Sequence, residues 1–378
     1  MRFLLIFFCF FNVTILYAQY VEKPQDFRFV EIKGHSGLHL YNGEELKEAL
    51  ENGYGAIELR YGWQSNNTSS WQSLFGYPAY GIGWYSGFIG NPDLLGTPGA
   101  VYGFISFPVS KPRRNLWVLE TALGISYDLK PYNSETNINN DAIGSRFNVY
   151  FNLNLGANYQ LNREIDLVYG IDITHFSNGR MFKPNAGLNM YGLNLGFKYH
   201  FNTQQRYIDN RKFPEHILNV RPQPMPYRKA KPIKDLEVLL YVATGLVQND
   251  ENSGTSKQYS TITSMIEASY IVNEISSLAI GMDVFYDSSL AMHYPNNSHW
   301  FYGVHGGYDL NFWKLAIRLQ GGTYLHNRAR KFKGDYFIRP ALKYQLSKDI
   351  FTQIGLKTQD GFKADWIEFG LGIKIFSK

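Results

Sequence analysis

From about residue 27 onward the chain is a succession of runs of roughly ten residues, each alternating apolar with small or polar side chains, with turn residues between runs. Around 165–177 one face carries Leu167, Tyr169, Ile171 and Ile173, and the other carries Asp166, Gly170, Asp172 and Thr174. Leu193, Leu195, Phe197, Tyr199 and Phe201 share a face against Gly192, Asn194, Gly196, Lys198 and His200. Near the C-terminus Ile367, Phe369, Leu371, Ile373 and Ile375 oppose Glu368, Gly370, Gly372 and Lys374. A period of two belongs to β-strands. It fits a soluble sandwich, with the apolar face turned inward, or a transmembrane barrel, with that face turned to lipid.

Three features favour the barrel. The polar face is rich in glycine and carries Lys and Glu at mid-strand. Tyr and Trp recur near strand ends, as interfacial girdles do. Turns near Asn162-Arg163, Val272-Asn273, Asn311 and Ser347-Lys348 are tight, while those between are longer, as outer-membrane barrels require. The fold class expected is therefore an all-β, antiparallel, transmembrane outer-membrane barrel. About eight strands are expected before residue 203 and about eight after 234, either as one larger barrel or as two, with both termini periplasmic. Aromatic residues at 16% with 35 glycines, and only 18% charged residues, agree with this and exclude disorder. A net charge of +5 is too mild for a nucleic-acid binder of this size.

Residues 1–18 read as a signal peptide. Met1-Arg2 is a positive start, Phe3 to Tyr17 is almost wholly apolar, and Ala18-Gln19 supplies a cleavage site. Cys9, the single cysteine, lies inside it, so the mature chain has no disulfide and no CxxC-type zinc site. The domains expected are 19–202, an eight-strand barrel region, 203–234, a basic Pro-rich linker or long periplasmic turn, and 235–378, an additional strand region. The middle segment holds five of the fifteen prolines. It sets eight Lys or Arg against two acids, a local net charge of +6. It reads as a solvated linker, or alternatively as a basic arm touching lipid phosphates or cell-wall polymer. His293 and His299 read as surface loop histidines. Asn67-Thr68-Ser69 and Asn296-Asn297-Ser298 match the glycosylation pattern but are discounted in a bacterial-looking exported chain.

No HExxH, phosphate-cradling loop or GxSxG elbow occurs. What stands out is His175-Phe176-Ser177-Asn178-Gly179, followed by Pro184-Asn185-Ala186-Gly187-Leu188-Asn189. His175 and Ser177 are two apart, so both point to one strand face, with Cβ atoms about 7 Å apart. That face is the apolar one, so the pair sits where a lipid-facing stripe leaves the membrane. Ser beside His is the minimum for nucleophilic acyl transfer, because the imidazole can take the hydroxyl proton. Asn178 and Asn185, with backbone N–H groups of the glycine-rich turn, can stabilise an oxyanion.

The run HFSNG…PNAGLN, entering a glycine-patterned strand after a signal peptide and barrel strands, resembles the lipid A 3-O-deacylase (PagL-like) acyloxyacyl hydrolase family. The resemblance covers roughly residues 20–202 and is specific mainly across 172–202. It implies an outer-membrane barrel of about eight strands that removes an ester-linked acyl chain from lipid A of lipopolysaccharide at the outer leaflet, with outer-membrane lipid around it. It implies Ser177 as nucleophile, His175 as general base, and Asn178, Gly179, Asn185 and Gly187 as motif residues, with Asn185 helping the oxyanion hole. It implies no cofactor and no metal. The family's pattern has a Glu on the following strand to orient the His, and Asn189 stands there. Asn189 shares the face of His175, and its amide oxygen can fix the imidazole tautomer without supplying a charge. The alternatives are a non-catalytic barrel, either channel or structural protein, and a phospholipid acyl hydrolase.

Overall fold

The computed structural model describes residues 26–41, 44–67, 70–111, 113–201, 220–221, 227–295, 299–325, 333–361 and 363–377. The signal peptide with Cys9, the Asn296-Asn297-Ser298 pattern, Thr68-Ser69 and most of the Pro-rich segment lie outside them.

All sixteen expected strands are present. They are β1 (Asp26–His39), β2 (Tyr54–Ser65), β3 (Ala79–Phe88), β4 (Gly96–Pro108), β5 (Asn115–Leu129), β6 (Asn148–Gln160), β7 (Ile165–Ser177), β8 (Leu188–Phe201), β9 (Pro232–Val247), β10 (Tyr259–Asn273), β11 (Ser276–Asp287), β12 (Trp300–Phe312), β13 (Leu315–Tyr324), β14 (Tyr336–Gln345), β15 (Ile350–Gln359) and β16 (Lys363–Ser377). They form two closed antiparallel barrels, β1–β8 and β9–β16, rather than one of sixteen strands. β8 closes on β1, with Ile32 opposite Phe197, and β16 closes on β9, with Leu371 opposite Val242. Closure leaves no sheet edge, the condition for strands in lipid. Among the described residues no helix is long and apolar enough to cross a membrane.

The alternation is realised as expected. On β8, Leu193, Leu195 and Phe197 are exposed on the outside, while Asn194, Lys198 and His200 are buried in the lumen. An eight-strand lumen is only wide enough for its own side chains. Here those are charged, and each charge finds a partner, as burial demands. In the first barrel Lys33 lies 3.1 Å from Glu58 and 3.2 Å from Glu120. Arg60 bridges Glu58 and Glu120 at 3.1 and 3.0 Å, and Lys198 holds Glu31 at 2.9 Å. In the second barrel Arg318 pairs with Glu267 and Asp309 at 2.8 and 2.7 Å. Arg339 holds Asp283 at 2.7 Å, and His305 bridges Asp283 and Glu267.

Both chain ends of each barrel lie at one rim, here the turn end, with the opposite rim the loop end. Two turns differ in position from the sequence reading. The tight turns are at 274–275 and 313–314 rather than at Val272-Asn273 and Asn311. The side chain of Asn273 accepts from the Ile275 N–H, and Trp313 takes a left-handed φ of 59°, so the chain reverses after those points. The alternation of loop lengths also has exceptions. The β15–β16 connection at the loop end is short, and the β2–β3 connection at the turn end spans 66–78. The latter reaches the second barrel, packing Trp71 at a tilt and Phe75 edge-to-face against Phe312, with ring centroids 5.9 and 6.0 Å apart.

Pro232 to Lys234 belong to β9, so the strand begins before the expected boundary at 235. The described part of the basic segment is anchored rather than simply solvated. Arg221 pairs with Asp166 at 2.6 Å and donates to the carbonyls of Asn162 and Arg163. Arg228 pairs with Glu274 at 2.7 Å. The Lys231 N–H and that guanidinium hold the Glu274 carboxyl below its usual range.

Filled lumens give a direct expectation: purified protein in planar bilayers shows no stable ohmic conductance. Arg318→Met, which removes the cation facing Glu267 and Asp309, costs about 3 kcal/mol, read as an earlier loss of the folded gel band on heating.

Candidate active site

The first barrel's β7 ends at the loop end with His175 and Ser177 on its outer face, in line with the exposed Ile171 and Ile173. Both side chains are half-buried, while Thr174 and Phe176 between and beside them fill the lumen. Register then supplies the partner of the histidine. His175 faces Asn189 across the β7–β8 pair, and Nδ1 lies 2.7 Å from Asn189 Oδ1. An amide oxygen only accepts, so the Nδ1–H donates and Nε2 keeps its lone pair. The ring lies over the backbone of Gly187. A Cβ there would stand 3.0 Å from His175 Cε1, and Gly187 has a φ of 78° that favours glycine.

The turn after Ser177 is tight. Gly179 and Arg180 both take positive φ, 62° and 71°, and the Met181 N–H donates to the Asn178 carbonyl at 3.2 Å, as in a type I′ turn. The Asn178 side chain braces it, accepting from the Phe182 N–H and donating to Ser145 Oγ at 3.1 Å. Asn185 reaches back across the loop. Its Oδ1 accepts from the Asn178 N–H at 3.0 Å, and its Nδ2 donates to Ser177 Oγ at 3.1 Å. The Gly179 N–H also donates to Ser177 Oγ, at 3.2 Å.

Two N–H donors therefore converge on the serine oxygen, an arrangement that favours negative charge there or on an oxygen bonded beside it. Other backbone donors of the loop are engaged elsewhere. The Asn178 N–H goes to Asn185, and those of Ala186 and Gly187 go to the carbonyls of Asp141 and Ala142. The donors that meet Ser177 Oγ are the Gly179 N–H and the Asn185 side-chain amide.

The seven site residues anticipated from sequence, His175, Ser177, Asn178, Gly179, Asn185, Gly187 and Asn189, are gathered at this one strand end. One expected contact is not made: Ser177 Oγ is bonded to Asn185 and Gly179 and not to His175. The pair is adjacent on one face, and the amide of Asn185 occupies the hydroxyl. No group of three or more His, Cys, Asp or Glu suited to a metal occurs among the described residues.

Sequence reasoning missed the surroundings of this loop in the second barrel. Arg180 points to Asp365 and Asp287, and Gly179 rests on Ile367. These partners lie more than a hundred residues further along the chain, and no spacing rule links them.

Residues 55–198 match the family described as lipid A 3-O-deacylase (PagL), and residues 236–378 match the one described as acyloxyacyl hydrolase, C-terminal domain. No curated protein matches by sequence. Among solved structures, the outer membrane enzyme PagL is matched at 14% identity over 45% of this chain and 99% of its own, with a TM-score of 0.32. A mutant of the Rh. blastica porin is matched at 10% identity over 92% of this chain and 99% of its own, with a TM-score of 0.19. The two family matches divide at the boundary between the barrels and together take in most of the chain, which belongs to the PagL lipid A 3-O-deacylase and acyloxyacyl hydrolase family of outer-membrane β-barrels.

Proposed function

We propose that the protein is an outer-membrane serine hydrolase that removes an ester-linked acyl chain from lipid A. The observation that carries this reading is the His175–Asn189 bond at the lipid-facing end of β7, beside a serine whose oxygen already receives two N–H donors. A hydrolase of soluble esters has no use for a nucleophile on the lipid face of a barrel. A lipid ester lies at that depth, where the strand leaves the apolar layer. In this reading the loop end faces outward, and the substrate approaches laterally within the outer leaflet.

In the proposed mechanism Ser177 Oγ attacks the ester carbonyl and its proton passes to His175 Nε2. Asn189 keeps the proton of the other ring nitrogen in place, so the base always presents Nε2. The carbonyl oxygen becomes an oxyanion, which the Gly179 N–H and the Asn185 amide stabilise. Collapse expels the sugar hydroxyl, protonated by His175, and leaves an acyl-serine. Water, deprotonated by the same nitrogen, then releases the fatty acid. Binding of the ester carbonyl must draw the Asn185 amide from the hydroxyl to the oxyanion, freeing Ser177 to meet His175.

Cells expressing the wild type should carry lipid A lacking one acyl chain by mass spectrometry, and cells expressing Ser177→Ala should not. Equal acylation with both forms would overturn the hydrolase reading. Asn189→Leu removes the tautomer-fixing acceptor and should lower kcat on the order of 10²-fold. Gly187→Ala pushes on the His175 ring and should lower kcat while leaving Ser177 and its two donors in place. Initial rates on purified lipopolysaccharide in detergent measure both.

A further inference from the structure

The loop that carries the proposed nucleophile is held from outside its own barrel. Arg180 leaves the turn after Ser177 and enters the loop end of the second barrel. Its guanidinium lies 3.2 Å from Asp365 Oδ1 and 3.6 Å from Asp287 Oδ2, and it donates to Ser289 Oγ at 3.3 Å. Both carboxylates are fully buried and also face Lys333, and Asp365 faces Lys357 as well. The backbone on either side is tied in the same direction. The Gln248 N–H donates to the Arg180 carbonyl at 3.0 Å. Gln248 Oε1 accepts from the Lys183 N–H at 2.7 Å, and Gln258 Nε2 donates to the Met181 carbonyl at 2.7 Å. Gln248 is itself fully buried.

Apolar packing completes the seat. Ile367 projects from the outer face of β16, where its neighbour Phe369 is 54% exposed, yet Ile367 is only 8% exposed. Gly179 covers it: a Cβ on Gly179 would stand 2.4 Å from Ile367 Cγ1. Arg180 is a non-glycine residue in the left-handed region, a conformation that costs energy and persists only where surroundings over-determine it.

We infer that the second barrel is the positioning element of the active site, and that Arg180 is the positioning residue through which it acts. The chain of cause is short. The second barrel fixes Arg180, Arg180 fixes the turn, and the turn aims the Gly179 N–H at Ser177 Oγ. The first barrel's own loops brace the near side of the turn through Asn185 and Asn178, and the second barrel holds its far side. Neither Arg180 nor Gln248 touches the serine, so each affects the rate only through the geometry of the donor.

The inference rests on the hydrolase reading, and the test separates the two. Wild type, Arg180→Gln, Arg180→Lys and Gln248→Ala are refolded as full chains, and the folded fraction of each is read from the unboiled band on a denaturing gel. Labelling of Ser177 by a fluorophosphonate probe and the kcat and KM of lipid A deacylation are then taken per folded molecule. The expected result is a fall in kcat and labelling rate of about tenfold or more for Arg180→Gln and Gln248→Ala, with KM within twofold of wild type. Arg180→Lys, which keeps a cation for Asp365, recovers part of the loss. Wild-type kcat in both Arg180→Gln and Gln248→Ala, or a loss confined to KM, overturns the positioning role while leaving the hydrolase standing. A wild type that neither deacylates lipid A nor labels, where Ser177→Ala behaves identically, overturns the hydrolase and the inference together.

Discussion

A side chain on a closed barrel strand has two destinations, the lumen or the lipid, and the period of two decides which. Everything else in this protein works within that constraint. The lumens are narrow, so residues sent there must interlock. The chain sends charged ones and pairs them, Lys33 and Arg60 with Glu58 and Glu120 in one barrel, Arg318 with Glu267 and Asp309 in the other. These ion pairs occupy the middle of each lumen. A site that must meet a lipid has to lie on the other face, among Ile171 and Ile173, and polar side chains there are tolerable only where the strand reaches the interface. His175 and Ser177 sit at that limit.

A site at a strand end has a weakness that a site within the sheet lacks. The sheet fixes His175 and Asn189 by register, because both belong to ladder positions facing each other. It fixes Ser177 less well, since β7 ends there and the donors come from a turn. The structure answers with contacts from two directions. Within the loop, Asn185 and Asn178 close the turn on itself. From outside, Gln248, Gln258 and the carboxylates around Arg180 hold the far side. The two barrels therefore meet where the turn most needs support. Their other described meeting point, Trp71 and Phe75 on Phe312, lies at the opposite rim.

The strands and the grouping of the candidate site residues were both legible in the sequence, for the same reason. Strand positions follow from local alternation, and the face shared by His175, Ser177 and Asn189 follows from counting by two along β7 and across to β8. What was not legible is what depends on partners far away in the chain. Two turns moved because Asn273 and Trp313 make local bonds and backbone turns that hydropathy does not register. Arg221 and Arg228 looked like solvated charges because their partners, Asp166 at the start of β7 and Glu274 in the β10–β11 turn, are distant in sequence. The partners of Arg180, Asp287 and Asp365, are likewise distant in sequence. Whether the later strands made a second barrel or enlarged the first was equally closed to inspection, since β8 pairs with β1 or with β9 on the same pattern of side chains.

In the proposed mechanism, Asn189 in place of the carboxylate of the family's pattern changes what supports the base. A carboxylate beside His175 would stabilise the imidazolium that forms as Ser177 loses its proton. It would also carry a desolvation cost on the lipid face of a strand, beside a half-buried ring. Desolvation of that kind is costly unless repaid by a charged partner. An amide avoids the cost and still performs the geometric half of the task, because Oδ1 can accept only from a protonated Nδ1. What it gives up is charge stabilisation of the transition state on the histidine side. The compensation available is on the serine side, where two N–H groups already converge on Oγ and can follow the negative charge to the carbonyl oxygen. A site that has moved its electrostatic support from the base to the oxyanion depends more heavily on the exact placement of those donors. In that reading, the contacts of the second barrel with Arg180 and its neighbours hold the turn that carries one of them.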